Sequence, residues 1–170
     1  ALNIPYPPNY GGVIDIYYKL LALHRLGVRL ILHCYEYERP RAPELERICA
    51  EVHYYPRRTG LLANFTLEPY NVAGRRNELL VQRLLQDDAP ILFEGLHTCF
   101  CIDDPRLAGR VKVFRSCNIE HDYYRAIGQA ERHPLRRLFY RLEAWRFRRY
   151  LPHAAAADLV AAVSTTDTDA

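Results

Sequence analysis

Short runs of β-branched and aromatic residues recur along this chain, and between them the apolar residues fall at three- and four-residue steps. The first pattern is that of a buried strand and the second that of a helix, so their alternation predicts βαβ units and a parallel sheet. Ala1 to Ile4 is a first strand, cut short at its start, followed by a turn whose prolines remove backbone donors, Pro5-Tyr6-Pro7-Pro8-Asn9-Tyr10-Gly11-Gly12. Val13, Ile16, Tyr17, Leu20, Leu23 and His24 then share one helical face up to about Leu26, with Gly27 placed as a C′ glycine.

The rest of the chain repeats this alternation. Val28 to Tyr35 is a strand, Ala42 to Ala50 a short helix and Glu51 to Pro56 a strand. Arg57 to Leu67 has no period and is a loop. A helix runs from Glu68-Pro69 to about Gln86, weakened by Gly74, and leads to a strand at Ala89 to Phe93. Val111 to Cys117 is the next strand, and helical pattern continues from Tyr123 to Ala157, divided by Pro134. Leu159 to Val163 closes the series. The expected architecture is an α/β fold, a Rossmann-like parallel sheet with helices on both faces, forming one domain over residues 1–170.

Composition narrows the class. The chain has 170 residues, room for a single core but short of two full domains. No run of eighteen apolar residues could span a bilayer, and no basic stretch precedes a long apolar one at the start, so a cytoplasmic protein without a signal peptide is expected. Its five cysteines, Cys34, Cys49, Cys99, Cys101 and Cys117, form no C-x-x-C pair and read as reduced thiols, mostly core fillers. The chain contains no methionine, an initiator included. A net charge of +3 is too small for a general polyanion binder.

In open parallel sheets ligands bind beyond the carboxyl ends of the strands. Three polar clusters are expected there: Asn9 to Gly12, Glu94 to His97, and Arg115 to Asp122. Gly11-Gly12 at a helix start is either a tight turn or a place where backbone N–H groups meet a phosphate or a sugar hydroxyl. G-x-G-x-x-G is absent, which excludes a dinucleotide fingerprint. Glu94, His97, Glu120, His121 and Asp122 supply acid, base and hydrogen-bonding groups suited to a polyol or to proton transfer. Without a His pair at i, i+4 no metal is expected. His33 and His53 lie inside apolar strands and read as satisfied core histidines.

At these clusters the chain resembles the acceptor domain of the retaining, GT-B fold glycosyltransferases of group 1, also called family 4. The residues that carry the resemblance are Pro7-Pro8-Asn9-Tyr10-Gly11-Gly12, Ala22 to Arg29 (ALHRLGVR), Glu94-Gly95-Leu96-His97, Arg115-Ser116-Cys117-Asn118-Ile119-Glu120, and Val163-Ser164 with Asp167. Their order extends over essentially the whole chain. The resemblance implies the N-terminal half of a GT-B fold, acting in transfer of a hexose-type sugar from a nucleotide-sugar to a hydroxyl. It places Asn9, Gly11, Gly12, Glu94, His97, Arg115 and Asn118 at substrate and phosphate, and Glu120 among the catalytic groups. Related members often read R-x-H-N-x-E where Cys117 here replaces the histidine, and His121, one helical turn later, is the substitute the sequence offers. No cofactor belongs to this half. The nucleotide-sugar is expected in a second Rossmann-like domain that begins soon after Ser164, without which the chain is inactive. The competing expectation is a nonenzymatic flavodoxin-like or Rossmann-like binding module.

One segment asks for a different partner. Leu135, Leu138, Phe139, Leu142 and Trp145 recur at helical spacing and predict a core-facing stripe. Arg136, Arg137, Arg141, Arg148 and Arg149 then form a solvated basic back, with Tyr140 and Tyr150 beside them, suited to anionic lipid head groups around a lipid-linked sugar acceptor. No nucleic-acid motif accompanies the charge, and none is expected as a partner.

Overall fold

Gly27 shows how local chemistry sets the element boundaries. In the computed structural model, which describes residues 1–60 and 66–162, helix α1 spans Gly11–Arg25 and Gly27 follows it at φ 78°. The Gly27 N–H donates to His24 O and the Val28 N–H to Leu23 O, the two bonds of a Schellman cap. Val28 is therefore spent on the helix end, and strand β1 begins only at Ile31, running Ile31–Glu36.

The described chain is a mixed α/β protein in which every strand pair is parallel, consistent with a Rossmann-like fold. Its described residues divide into two compact units, one of residues 1–57 and 77–80, the other of 58–60, 66–76 and 81–162. In the first, β1 pairs with β2 (Glu51–Pro56), Ile31 opposite Glu51 and Glu36 opposite Pro56, with α2 (Pro43–Glu46) between them in sequence. Ile4, Leu32, Cys34, Ala42, Leu45 and Cys49 form its core, bordered by Tyr6, Tyr17, Leu20 and Tyr54. Ala1 to Ile4 is not a strand. The N-terminal amine donates to His33 O and Ile4 is fully buried, but the prolines that follow end the run before a ladder can form. His33 accepts or donates to Tyr55 at 2.8 Å and His53 meets Glu51 at 3.1 Å, so both strand histidines are satisfied within the sheet.

The second unit holds the sheet β3 (Ile91–Glu94), β4 (Lys112–Ser116) and β5 (Leu159–Ala162), with β4 in the middle. The helix expected from Glu68 to Gln86 is instead two short ones, α3 (Tyr70–Ala73) and α4 (Glu78–Leu84). Gly74 is the break: its carbonyl accepts the Arg58 N–H, and a Cβ there would lie 2.6 Å from Arg58 O. α5 (Glu120–Ala130) starts three residues earlier than the periodicity predicts, and α6 (Pro134–Tyr150) carries proline at its first position. The two helices approach closely at Gly128, where a Cβ would sit 3.2 Å from the Tyr140 Cβ.

α6 corrects the sequence reading. Its buried residues are Glu143, Ala144, Arg146, Phe147 and Tyr150, while Leu135, Leu138, Leu142 and Trp145 face solvent. The two charges go inside as a pair: Arg146 donates to Glu143 Oε1 at 2.7 Å, and Glu143 Oε2 accepts the Tyr70 N–H at 2.9 Å. Tyr150 is buried too, donating to Cys99 O, so it does not join the exposed arginines. Cys34, Cys49, Cys99 and Cys101 are buried, as the sequence reading of core fillers expects, and all five cysteines are free thiols in this structure. Residues 61–65 of the expected loop, together with Val163, Ser164 and Asp167 of the resemblance, lie outside the described residues. Among the described residues no helix is long and apolar enough to cross a membrane.

Candidate functional site

At the carboxyl edge of the sheet β3 and β4 carry a charged pair. Glu94, the last residue of β3, stands opposite Arg115 in the register, and the guanidinium Nη1 lies 3.2 Å from Glu94 Oε2 with both side chains nearly buried. The same nitrogen is 3.1 Å from the Cys117 Sγ. Gly95 then takes φ 76°, a left-handed turn in which glycine avoids the Cβ clash. That turn feeds a buried 3₁₀ segment, Leu96–Cys101, and brings the His97 Nδ1 to 3.5 Å from Glu120 Oε1 at the start of α5.

The His97–Glu120 pair sits against aromatic rings. Phe147 meets the His97 ring edge-on at 5.1 Å between centroids and stacks on Tyr124 at 5.0 Å. A helix start favours an anion through its dipole, but here removal from water dominates, and burial pushes the Glu120 carboxyl up to about 7. A carboxyl poised at neutrality beside an imidazole is a group that can hold or pass a proton. Neither ring is conspicuous in the sequence, since Phe147 and Tyr124 look like any core aromatics.

The other expected site residues fall in separate places. Asn118 is exposed on the turn between β4 and α5. His121 does not share the His97 surroundings: its Nε2 is 3.7 Å from Asp122, and with Asp122, Arg125, Arg148, Leu151 and Pro152 it lines a cavity of about 660 Å³. Among the described residues no group of three His, Cys, Asp or Glu is placed to hold a metal ion.

Asn9, Gly11 and Gly12 belong to the first unit. Arg39 braces the turn that leads into the two glycines, a role with no local signal beyond its position past the end of β1. Its Nε donates to Tyr6 O at 3.2 Å, its Nη1 to Asn9 Oδ1 at 2.9 Å and its Nη2 to Pro7 O, while its guanidinium lies 5.4 Å from the Tyr10 ring centre. Glu38, immediately before it, adopts φ 55°, a left-handed conformation that turns the chain after β1. Gly11 and Gly12 are the first residues of α1, and no side chain caps this end. Neither has positive φ, and a Cβ at either would meet nothing within 4 Å. A tight turn therefore does not require glycine at these two positions.

Comparison with known proteins yields a relative of limited reach. Over 157 residues, 87% of this chain, the sequence is 30% identical to a protein of Klebsiella pneumoniae named "Uncharacterized 44.6 kDa protein in cps region". The match covers 40% of that relative's length. No family model and no solved structure matches the chain.

Proposed function

We propose that this chain is the acceptor-side part of an enzyme of polysaccharide assembly, one that moves a sugar from a nucleotide-sugar to a hydroxyl with the retaining GT-B chemistry of the group 1 family. One observation carries the reading. Two polar pairs, Glu94 with Arg115 and His97 with Glu120, gather where adjacent parallel strands end, the edge at which α/β sheets bind ligands, and burial pushes the Glu120 carboxyl up to about 7. The relative's cps (capsule) region adds a setting of polysaccharide synthesis.

The reaction joins the acceptor oxygen to the anomeric carbon as the bond from that carbon to the diphosphate oxygen breaks, the bonding pair leaving with the diphosphate. The acceptor's proton needs a base, a role for the His97–Glu120 pair, while Glu94 and Arg115 hold sugar hydroxyls in place. Gly11 and Gly12 present N–H groups that the helix itself leaves without acceptors, suited to a diphosphate or a sugar hydroxyl.

The test is release of nucleoside diphosphate from a panel of nucleotide-sugars by the complete polypeptide that carries this chain. His97→Ala and Glu120→Gln should each lower turnover by roughly a hundredfold or more with folding retained. Gly12→Val should lower turnover with an unchanged melting curve, because its Cβ has room within the chain. The 170-residue chain alone should bind nucleotide-sugars no tighter than about 1 mM. Micromolar binding by this chain alone, or full turnover in the His97→Ala, Glu120→Gln double variant, overturns the reading.

A further inference from the structure

The outer face of α6 combines two features that a solvated helix lacks. Leu135, Leu138, Leu142 and Trp145 are 72%, 65%, 40% and 49% exposed, a large apolar row on the surface of a small protein. At 3.6 residues per turn these four lie within an arc of about 80° and along about 15 Å of axis. Arg137, Arg141 and Arg148, all exposed, fall on the adjoining arc of about 40°. Arg149 lies within the apolar row, its guanidinium 5.8 Å from the Trp145 ring centre. Arg136 projects to the other side and does not join this flank.

The sign of the charge identifies the occupant. The only acid on α6 is Glu143, fully buried and committed to Arg146 and the Tyr70 N–H, so the outer face carries cations without a compensating carboxylate on its own helix. A second copy of this face would set arginine against arginine, whereas a surface of anionic phosphates over an apolar layer matches both rows. We infer that α6 docks this protein on an anionic bilayer, lying in the interface with Leu135, Leu138, Leu142 and Trp145 at the acyl boundary and Arg137, Arg141, Arg148 and Arg149 on lipid phosphates. The helix lies on the membrane and does not cross it. The inference is independent of the sugar-transfer reading, since its measurement is partition and not turnover.

The chain carries its own reporter. Trp145 is the single tryptophan, and it sits in the apolar row. The 170-residue chain is titrated with vesicles of equal parts phosphatidylglycerol and phosphatidylcholine at low salt, with tryptophan emission and co-sedimentation as readouts. Emission should shift to the blue, be quenched by brominated acyl chains, and return toward the free value as salt is raised. Leu138→Ser with Leu142→Ser should abolish the shift while leaving the circular dichroism spectrum unchanged, because both side chains are exposed in the free protein. Arg137→Glu with Arg141→Glu should weaken partition at least roughly tenfold. The inference is overturned by an absent shift, by an equal shift on pure phosphatidylcholine, or by emission already that of a buried indole before lipid is added. A shift that follows protein concentration without lipid overturns it in favour of self-association.

Discussion

Glu120 holds its proton more tightly in the folded chain than in the unfolded one, since burial raises it from 4.5 to about 7. Its contribution to stability is therefore fully present below about pH 4.5 and is lost as pH rises toward 7. Urea denaturation at about pH 5 and about pH 8 should show wild type losing roughly 1–3 kcal/mol more than Glu120→Gln across that interval. Equal losses would mean that Glu120 is ionised at an ordinary pKa. Gly74 gives a second prediction at this scale. Gly74→Ala places a Cβ 2.6 Å from the Arg58 carbonyl and should cost roughly 1–3 kcal/mol, while Gly109→Ala, with nothing within 4 Å, should be near neutral by thermal melting. The E-G-L-H run is legible in sequence because a strand end, a left-handed turn and a histidine follow one another. The Arg39 brace on Asn9 is not legible, because its partners lie 30 residues away and no local pattern records them.

Helix α6 shows where periodicity misleads. Hydropathy weighs each residue alone, so a row of leucines reads as core and a glutamate and an arginine as surface. Glu143 and Arg146, three residues apart, neutralise each other and satisfy the Tyr70 N–H, and that cooperation makes their face the buried one. Burial raises the Glu143 carboxyl and the Arg146 hydrogen bond opposes the rise. Removing one partner strands the other charge in the interior, so Arg146→Met should cost roughly 3–5 kcal/mol. Arg148→Met, at an exposed position of the same helix, should stay within about 0.5 kcal/mol. Similar melting temperatures for the two would place Arg146 at the surface. The break between α3 and α4 was also beyond the sequence, since Gly74 alone does not announce the Arg58 backbone pressed against it.

Across the whole molecule, the parallel strands were recoverable from sequence because each is a short apolar run between turn residues, and β3, β4 and β5 fall where those runs do. Ala1 to Ile4 is the exception, since whether a short apolar run becomes a strand depends on a ladder that its neighbours must supply. The thiols offer a measurement at this scale. Burial pushes Cys34 and Cys101 up to about 12 and Cys49 to about 11, and raises Cys99 as well. Under native conditions iodoacetamide should label Cys117 first. Cys34 and Cys49, in one core cluster, should follow at one shared rate, and Cys99 with Cys101 at another, each reporting the opening of its own unit. Mass spectrometry showing five independent rates would contradict cooperative units. The bond from the Tyr70 N–H to Glu143 spans 73 positions. On a ribosome adding about 5–20 residues per second, α3 waits roughly 4–15 s for the segment that fastens it. During that interval α3 is a nascent stretch without its anchor, open to chaperones and proteases, and codons that slow translation between α4 and α6 would lengthen the exposure.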